Sequence, residues 1–260
     1  VENNPDNTPE PVLLLIADIS GYTRYMTANA KTFAHSQTVI TELVKAIIEQ
    51  VEVPLEVAKL EGDAIFLFCR PPPDALQWMA ARAEISRKLL DFFRLFREKI
   101  TELSGSTTCD CHACTHIEKL RLKIIVHRGE ALFHRVLHFD ELAGVDVIIA
   151  HRLLKNSIKA GQYLLLTEAA MQELQFPPAM VFQSASESYE DIGRIKTAFH
   201  DFDLAAAKEK TGGRKSFGTR YHESLRLFLN LWFGPLARGR GNFRNLPDGP
   251  GRSAKEDLPC

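Results

Sequence analysis

Residues 12–23 read Val12-Leu13-Leu14-Leu15-Ile16-Ala17-Asp18-Ile19-Ser20-Gly21-Tyr22-Thr23. The apolar run Val12–Ala17 is short enough for a central β-strand buried on both faces. It stops at Asp18, and the Ser-Gly-Tyr-Thr that follows opens a segment of helical periodicity. An Asp between a buried strand and a helix start suits a metal-bound phosphate, because free amides at a helix N-terminus attract anions. Gly21 permits close approach. The plainer alternative is that Asp18 only caps the helix.

Working outward, the residues up to Pro11 are rich in Asn, Pro and Glu and read as a disordered arm (1–11). Downstream, Val39, Leu43, Ile47 and Val51 recur at four-residue steps, a helix stripe that should face the sheet. Leu55–Leu60 and Ala64–Cys69 are β-prone runs around Glu61-Gly62-Asp63, the pattern of a hairpin turning at Gly62 and Asp63. Pro71-Pro72-Pro73 blocks that second strand, and Asp74 can open a helix to about Leu103. Residues 104–116 form a loop with three cysteines. Leu120–His127 and Leu132–Phe139 are expected strands, Val145–Lys155 a helix and Tyr163–Leu166 a short strand, with Pro177 and Pro178 interrupting a later helix. Strands and helices so mixed predict an α+β or α/β sandwich around a single sheet.

The 260 residues carry a formal charge of only −1, which argues against a generic nucleic-acid binder. The charge is unevenly placed: residues 208–255 hold eleven Lys/Arg against three Asp/Glu, a net +8, whereas residues 1–207 come to −7. The expected organisation is therefore a core over 12–207 and a basic C-terminal extension over 208–260. No apolar run approaches the ~20 residues that span a bilayer, and no basic-then-apolar leader opens the chain, so a cytoplasmic protein is expected.

Four segments, in order, resemble the class III adenylate/guanylate cyclase catalytic domain. Ala17–Thr23 is similar to that family's D-[IL]-x-G-[FY]-T signature, and Lys59–Ala64 to its K-x-x-G-D-[AS] hairpin. Leu122–Glu130 resembles the strand ending H-x-G-E, and Leu142–Leu153 (LAGVDVIIAHRL) the W-G-x-x-V-N-x-A-x-R-L helix. Each motif recurs by chance elsewhere; four in sequence are hard to dismiss. The resemblance covers roughly residues 12–203. It implies a ferredoxin-like α+β sandwich with a mostly antiparallel central sheet flanked by helices.

The resemblance also implies chemistry. Asp18 and Asp63 match the two carboxylates that hold a pair of Mg or Mn ions, with the backbone carbonyl of Ile19 as third ligand. Gly21, Tyr22 and Thr23 fall on the nucleotide side of the same motif. Lys59 stands where the family's adenine-recognising Lys stands, which implies ATP over GTP; Glu141 replaces its usual Asp partner. A surface ion pair is the bland reading of these two. Arg152 matches the transition-state Arg, whose guanidinium suits charge on the α-phosphate. Lys196 matches a triphosphate-binding Lys in a divergent segment.

One departure matters. The family's ribose-orienting Asn is replaced by Ile148, which neither donates nor accepts a hydrogen bond. His151, one turn away, either compensates or is an ordinary helix-surface or core-edge histidine. Because the family builds its sites between two catalytic domains, a chain carrying both residue sets is expected to act as a homodimer.

Cys109, Cys111, Cys114 and His116 have the ligand types for a tetrahedral structural zinc; reduced cysteines in an ordinary loop are the other reading. Cys69, at a strand end, belongs to the core. In the tail, Tyr221–Phe233 (YHESLRLFLNLWF) packs on the core or a dimer partner, or docks on a membrane surface or an acidic partner. The functional expectation is conversion of ATP to cyclic AMP and pyrophosphate. The rivals are a nucleotide-binding regulatory or scaffolding protein of the same fold that has lost turnover, and a related phosphoryl chemistry.

Overall fold

The computed structural model describes residues 8–29, 33–106 and 116–203. Cys109, Cys111, Cys114 and the basic tail lie outside the described residues. The chain runs β1 (Glu10–Ser20), α1 (Tyr22–Ala28), α2 (Phe33–Ile48), β2 (Glu56–Glu61), β3 (Ala64–Cys69) and α3 (Ala75–Ser106). After a single 3-10 turn at Ile117–Lys119 come β4 (Arg121–Val136), β5 (Phe139–Ala143), α4 (Val145–Arg152), β6 (Tyr163–Thr167), α5 (Glu168–Glu173), β7 (Gln183–Tyr189) and β8 (Gly193–Asp201).

The strands form one sheet in the order β2-β3-β1-β4-β6-β8-β7, with β5 paired to the far end of β4. Only β4 and β6 run parallel; the other pairs are antiparallel. β1 lies centrally between β3 and β4, which explains its unbroken apolar run. Leu13, Leu15, Ala17 and Ile19 face the larger core formed with α2 and α3, while Val12, Leu14 and Ile16 face a second core that includes Phe66, Phe68 and Ala150. The α2 stripe is buried as expected at Val39, Leu43 and Ile47, and Val51 packs against the same core past the helix end. α3 begins with the cap read from the sequence: Asp74 Oδ1 accepts the Gln77 N–H at 2.8 Å.

Several elements differ from expectation. β1 starts at Glu10, inside the segment read as an arm. Leu120–His127 and Leu132–Phe139 are not separate strands, because β4 is continuous for 16 residues through Gly129. Gly129, in the gap between the two expected strands, is a point of close approach: a Cβ there would overlap the Asp146 carboxyl group. β5 and the β7–β8 hairpin carry no apolar run and differ from the sequence expectation, whereas the helix expected ahead of Pro177 and Pro178 is α5, which ends earlier, at Glu173. α4 ends at Arg152 rather than Lys155.

Candidate functional site

Asp18 is not a helix cap. It lies inside β1, and the N-cap of α1 is Gly21, whose left-handed φ of 90° favours glycine. In the ladder Asp18 is opposite Ala64 of β3 on one side and Lys123 of β4 on the other. Asp63 precedes Ala64 in the β2–β3 turn, after Gly62 at φ 69°. The hairpin therefore delivers the second carboxylate to the first. Asp18, Asp63, Gly21, Tyr22 and Thr23 line one cleft of about 1000 Å³, with His116 on its wall.

The electrostatics are those of two acids forced together. Burial first, and the charge of Asp18 second, push the Asp63 carboxyl from its ordinary 3.8 up to about 7, against hydrogen bonds from the backbone at Asp63 and Ile19 and the pull of Lys123. The Tyr22 hydroxyl is also raised, by burial and then by Asp63. Lys123 Nζ sits 2.9 Å from Asp18 Oδ2. Lys119, Lys159 and Arg24 bring further positive charge to the same cleft. Among the described residues no group of three or more His, Cys, Asp or Glu gathers as a metal cage. A half-buried carboxylate pair nevertheless fits Mg or Mn, which take one or two carboxylates and complete their shell with water and substrate phosphates.

The other expected site residues lie outside this cleft. Lys59 on β2 and Glu141 on β5, 82 residues apart in sequence, meet at 3.1 Å, Nζ to Oε2. Glu61 lies 3.7 Å from Lys59, and its other oxygen is 3.6 Å from His151 Nδ1. His151 stacks edge-on against Phe66, the core-edge position that its sequence context suggested. Ile148 is 53% exposed, so the apolar replacement faces outward rather than filling a core. Arg152 stands 3.6 Å from Asp191, and Lys196 3.2 Å from Glu168, both on open surface. None of Lys59, Glu141, Arg152 and Lys196 lines the carboxylate cleft. Cys69 is buried, with its thiol pushed up to about 11 chiefly by that burial.

Sequence reading missed two groups. Lys123 is the charged residue within the apolar stretch Leu122–Val126 of β4, and that interruption was the available signal. The second is a buried chain in which His127 bonds Thr167 Oγ1 at 3.0 Å and Asp146 Oδ1 at 2.8 Å, while Asp146 Oδ2 accepts the Glu130 N–H at 2.8 Å. It fastens the start of α4 to β4.

A family described as "Protein of unknown function (DUF2652)" matches residues 40–163. The "Uncharacterized protein Rv2561/Rv2562" of Mycobacterium tuberculosis is 33% identical over 168 residues, 65% of this chain and 74% of that protein. Among solved structures, the guanylyl cyclase Cya2 aligns with a TM-score of 0.56 at 12% identity, over 75% of this chain and 93% of its own. The adenylyl cyclase CyaB from P. aeruginosa aligns with a TM-score of 0.54 at 13% identity, over 81% and 98%. At such identities the likeness is one of fold, and it agrees with the sheet order and flanking helices described above. Among the described residues no helix is long and apolar enough to cross a membrane. The chain thus belongs to the same family as the mycobacterial Rv2561/Rv2562 and has the fold of the class III adenylyl/guanylyl cyclase catalytic domain.

Proposed function

We propose that the chain is a homodimeric nucleotide cyclase that converts ATP to cyclic AMP and pyrophosphate, a phosphorus-oxygen lyase acting in the cytoplasm. The observation that carries this reading is the carboxylate pair, Asp18 from β1 and Asp63 from the hairpin, at a cleft large enough for a nucleotide. In it, residues 12–207 are the catalytic domain and 208–260 an extension.

Asp18 and Asp63, with the Ile19 carbonyl, would hold two Mg or Mn ions. When bound, such ions lower the pKa of the ribose 3′-hydroxyl and neutralise charge on the triphosphate. The 3′-hydroxyl gives its proton to solvent, and its oxygen forms a bond to the α-phosphorus as the bond to pyrophosphate breaks. Gly21, Tyr22 and Thr23 line the cleft beside the polyphosphate. Lys59 and Glu141, preformed as a pair, present one donor and one acceptor to the purine edge and favour adenine. Arg152 and Lys196 are held only by exposed ion pairs, worth at most about 1 kcal/mol, and are released to phosphate at little cost.

Two observations support assembly from two copies. Within one protomer Lys59, Glu141 and Arg152 lie outside the carboxylate cleft. The elements bearing them expose Val57, Leu60, Phe139, Val145 and Ile148, apolar residues suited to a partner. One protomer then supplies the aspartates and its partner the lysine and arginine.

A second reading is favoured by Ile148. An exposed isoleucine where a ribose contact is expected suits a protein that binds the nucleotide without turning it over, acting as a regulator or scaffold. Assay of cyclic nucleotide formation from ATP and GTP with Mn, beside an Asp63→Ala control, separates the two. Product from ATP that vanishes in the control supports the cyclase. Metal-dependent ATP binding without product selects the second reading, and absence of both removes the carboxylate pair as a nucleotide site.

A further inference from the structure

We propose that Lys123 is a resident counter-ion of Asp18 that an incoming metal ion must displace, and that its second bond couples this displacement to the end of helix α4. The proposal rests on the reading of Asp18 and Asp63 as metal ligands.

A lysine inside β4 is costly to bury unless its ammonium is paired. The surrounding Leu122, Ile124, Ile125 and Val126 are fully or almost fully buried. Lys123 itself is 17% exposed and Asp18 18%. Nζ meets two acceptors, Asp18 Oδ2 at 2.9 Å and the backbone oxygen of Leu154 at 3.2 Å. Its three N–H donors can serve both.

Those two acceptors belong to different parts of the site. Asp18 is one half of the carboxylate pair; Leu154 lies just past α4, the helix that carries Ile148 and Arg152. The last carbonyls of a helix lack intrahelical partners and need donors from elsewhere. Here Arg152 O accepts from the Tyr189 hydroxyl at 2.9 Å, and Leu153 O from Asn156 Nδ2 at 2.8 Å. The donor to Leu154 O is Lys123, and of these donors it alone also touches a site carboxylate.

An ammonium already bonded to a ligand oxygen repels a second cation and occupies a lone pair that the cation needs. Metal entry therefore frees Lys123 from Asp18 and changes what holds the end of α4. By linkage, a shift of α4 that draws Lys123 away from Asp18 raises metal affinity to the same degree. In the full chain this makes Lys123 a positioning residue that sets metal affinity and reports metal occupancy to the helix bearing Arg152.

The test titrates Mn into the wild-type protein and into Lys123→Met, Lys123→Arg and Asp63→Ala by calorimetry, and follows amide hydrogen exchange over residues 145–158 with and without Mn. Removing a unit charge so close to the ligands should tighten Mn binding by about tenfold or more in Lys123→Met, even though its metal-free form melts earlier. Lys123→Arg should stay near wild type. Exchange at the end of α4 should change with Mn in wild type and not in Lys123→Met. A purely structural lysine would instead weaken Mn binding when removed, and that result, or an unchanged affinity, overturns the proposal. If Lys123→Met does not fold, wild-type exchange decides, and no response of α4 to Mn is fatal. Mn binding that needs Asp63 but ignores Lys123 removes this proposal alone. No Mn binding in any of the chains removes the metal site and the proposal with it.

Discussion

Asp63 is held between opposed demands, since burial and Asp18 favour its neutral form while backbone hydrogen bonds and Lys123 favour the carboxylate. The first pair wins, and its carboxyl rises from 3.8 to about 7. The native state therefore binds an extra proton between those values, and stability linked to Asp63 is present in full below about pH 3.8 and lost as the pH climbs to about 7. This is the reverse of an ordinary paired carboxylate. Asp63→Asn removes the charge and keeps the shape. In EDTA it should melt above wild type at pH 8 and converge with it near pH 4, as followed by scanning calorimetry. An offset that stays constant across that range would show that Asp63 ionises normally. With saturating Mn at pH 8 the order should reverse, because only the wild type gains the bound ion's stabilisation.

At the scale of elements, α4 is positioned by its first turn. Asp146 reaches back to His127 and to the Glu130 N–H, and Gly129 leaves the space its carboxyl group occupies. Asp146→Ala should cost about 1–3 kcal/mol in urea denaturation, the range for leaving a buried partner unsatisfied, with His127 the group left behind. Gly129→Ala should cost a similar ~1–3 kcal/mol by overpacking, and combined with Asp146→Gly, which also removes the Cβ in its way, the two losses should fall well short of additive. Full additivity would mean that the glycine serves something other than Asp146. The same contact explains a limit of sequence reading. Gly129 falls in the gap between the two expected strands, and only the approach of α4, 17 residues later, shows why the strand passes through it. β5 (FDELA) and β7 (QSASESY) were illegible for a related reason: both are largely exposed, so neither needed the apolar alternation by which strands are recognised. β1 and the hairpin were legible because burial on both faces and a glycine with positive φ each leave an unmistakable residue pattern.

For the whole molecule, the Asp18–Asp63 pair and the Lys59–Glu141 contact were legible through the resemblance of their motifs to the cyclase domain. What the motifs could not convey is that the second set lies outside the cleft of the first, since that depends on how β2, β5 and α4 are placed relative to the β1–α1 cleft. The separation has a consequence that a monomeric enzyme cannot share. If each site takes its aspartates from one protomer and its arginine from the other, Asp63→Ala and Arg152→Ala homodimers both lack an intact site. A mixed dimer has one intact site and one doubly damaged site. Random exchange of equal amounts makes half of the dimers mixed, so mixing two inactive proteins should restore about a quarter of wild-type activity. Dilution below the dimer dissociation constant should abolish the recovery, and Leu60→Glu, which places a charge on the exposed apolar surface of β2, should weaken the dimer in sedimentation and lower the recovery in parallel. If two independently inactive, well-folded variants stay inactive when mixed, although each exchanges subunits, then both residues serve one protomer's site and the half-site arrangement is wrong.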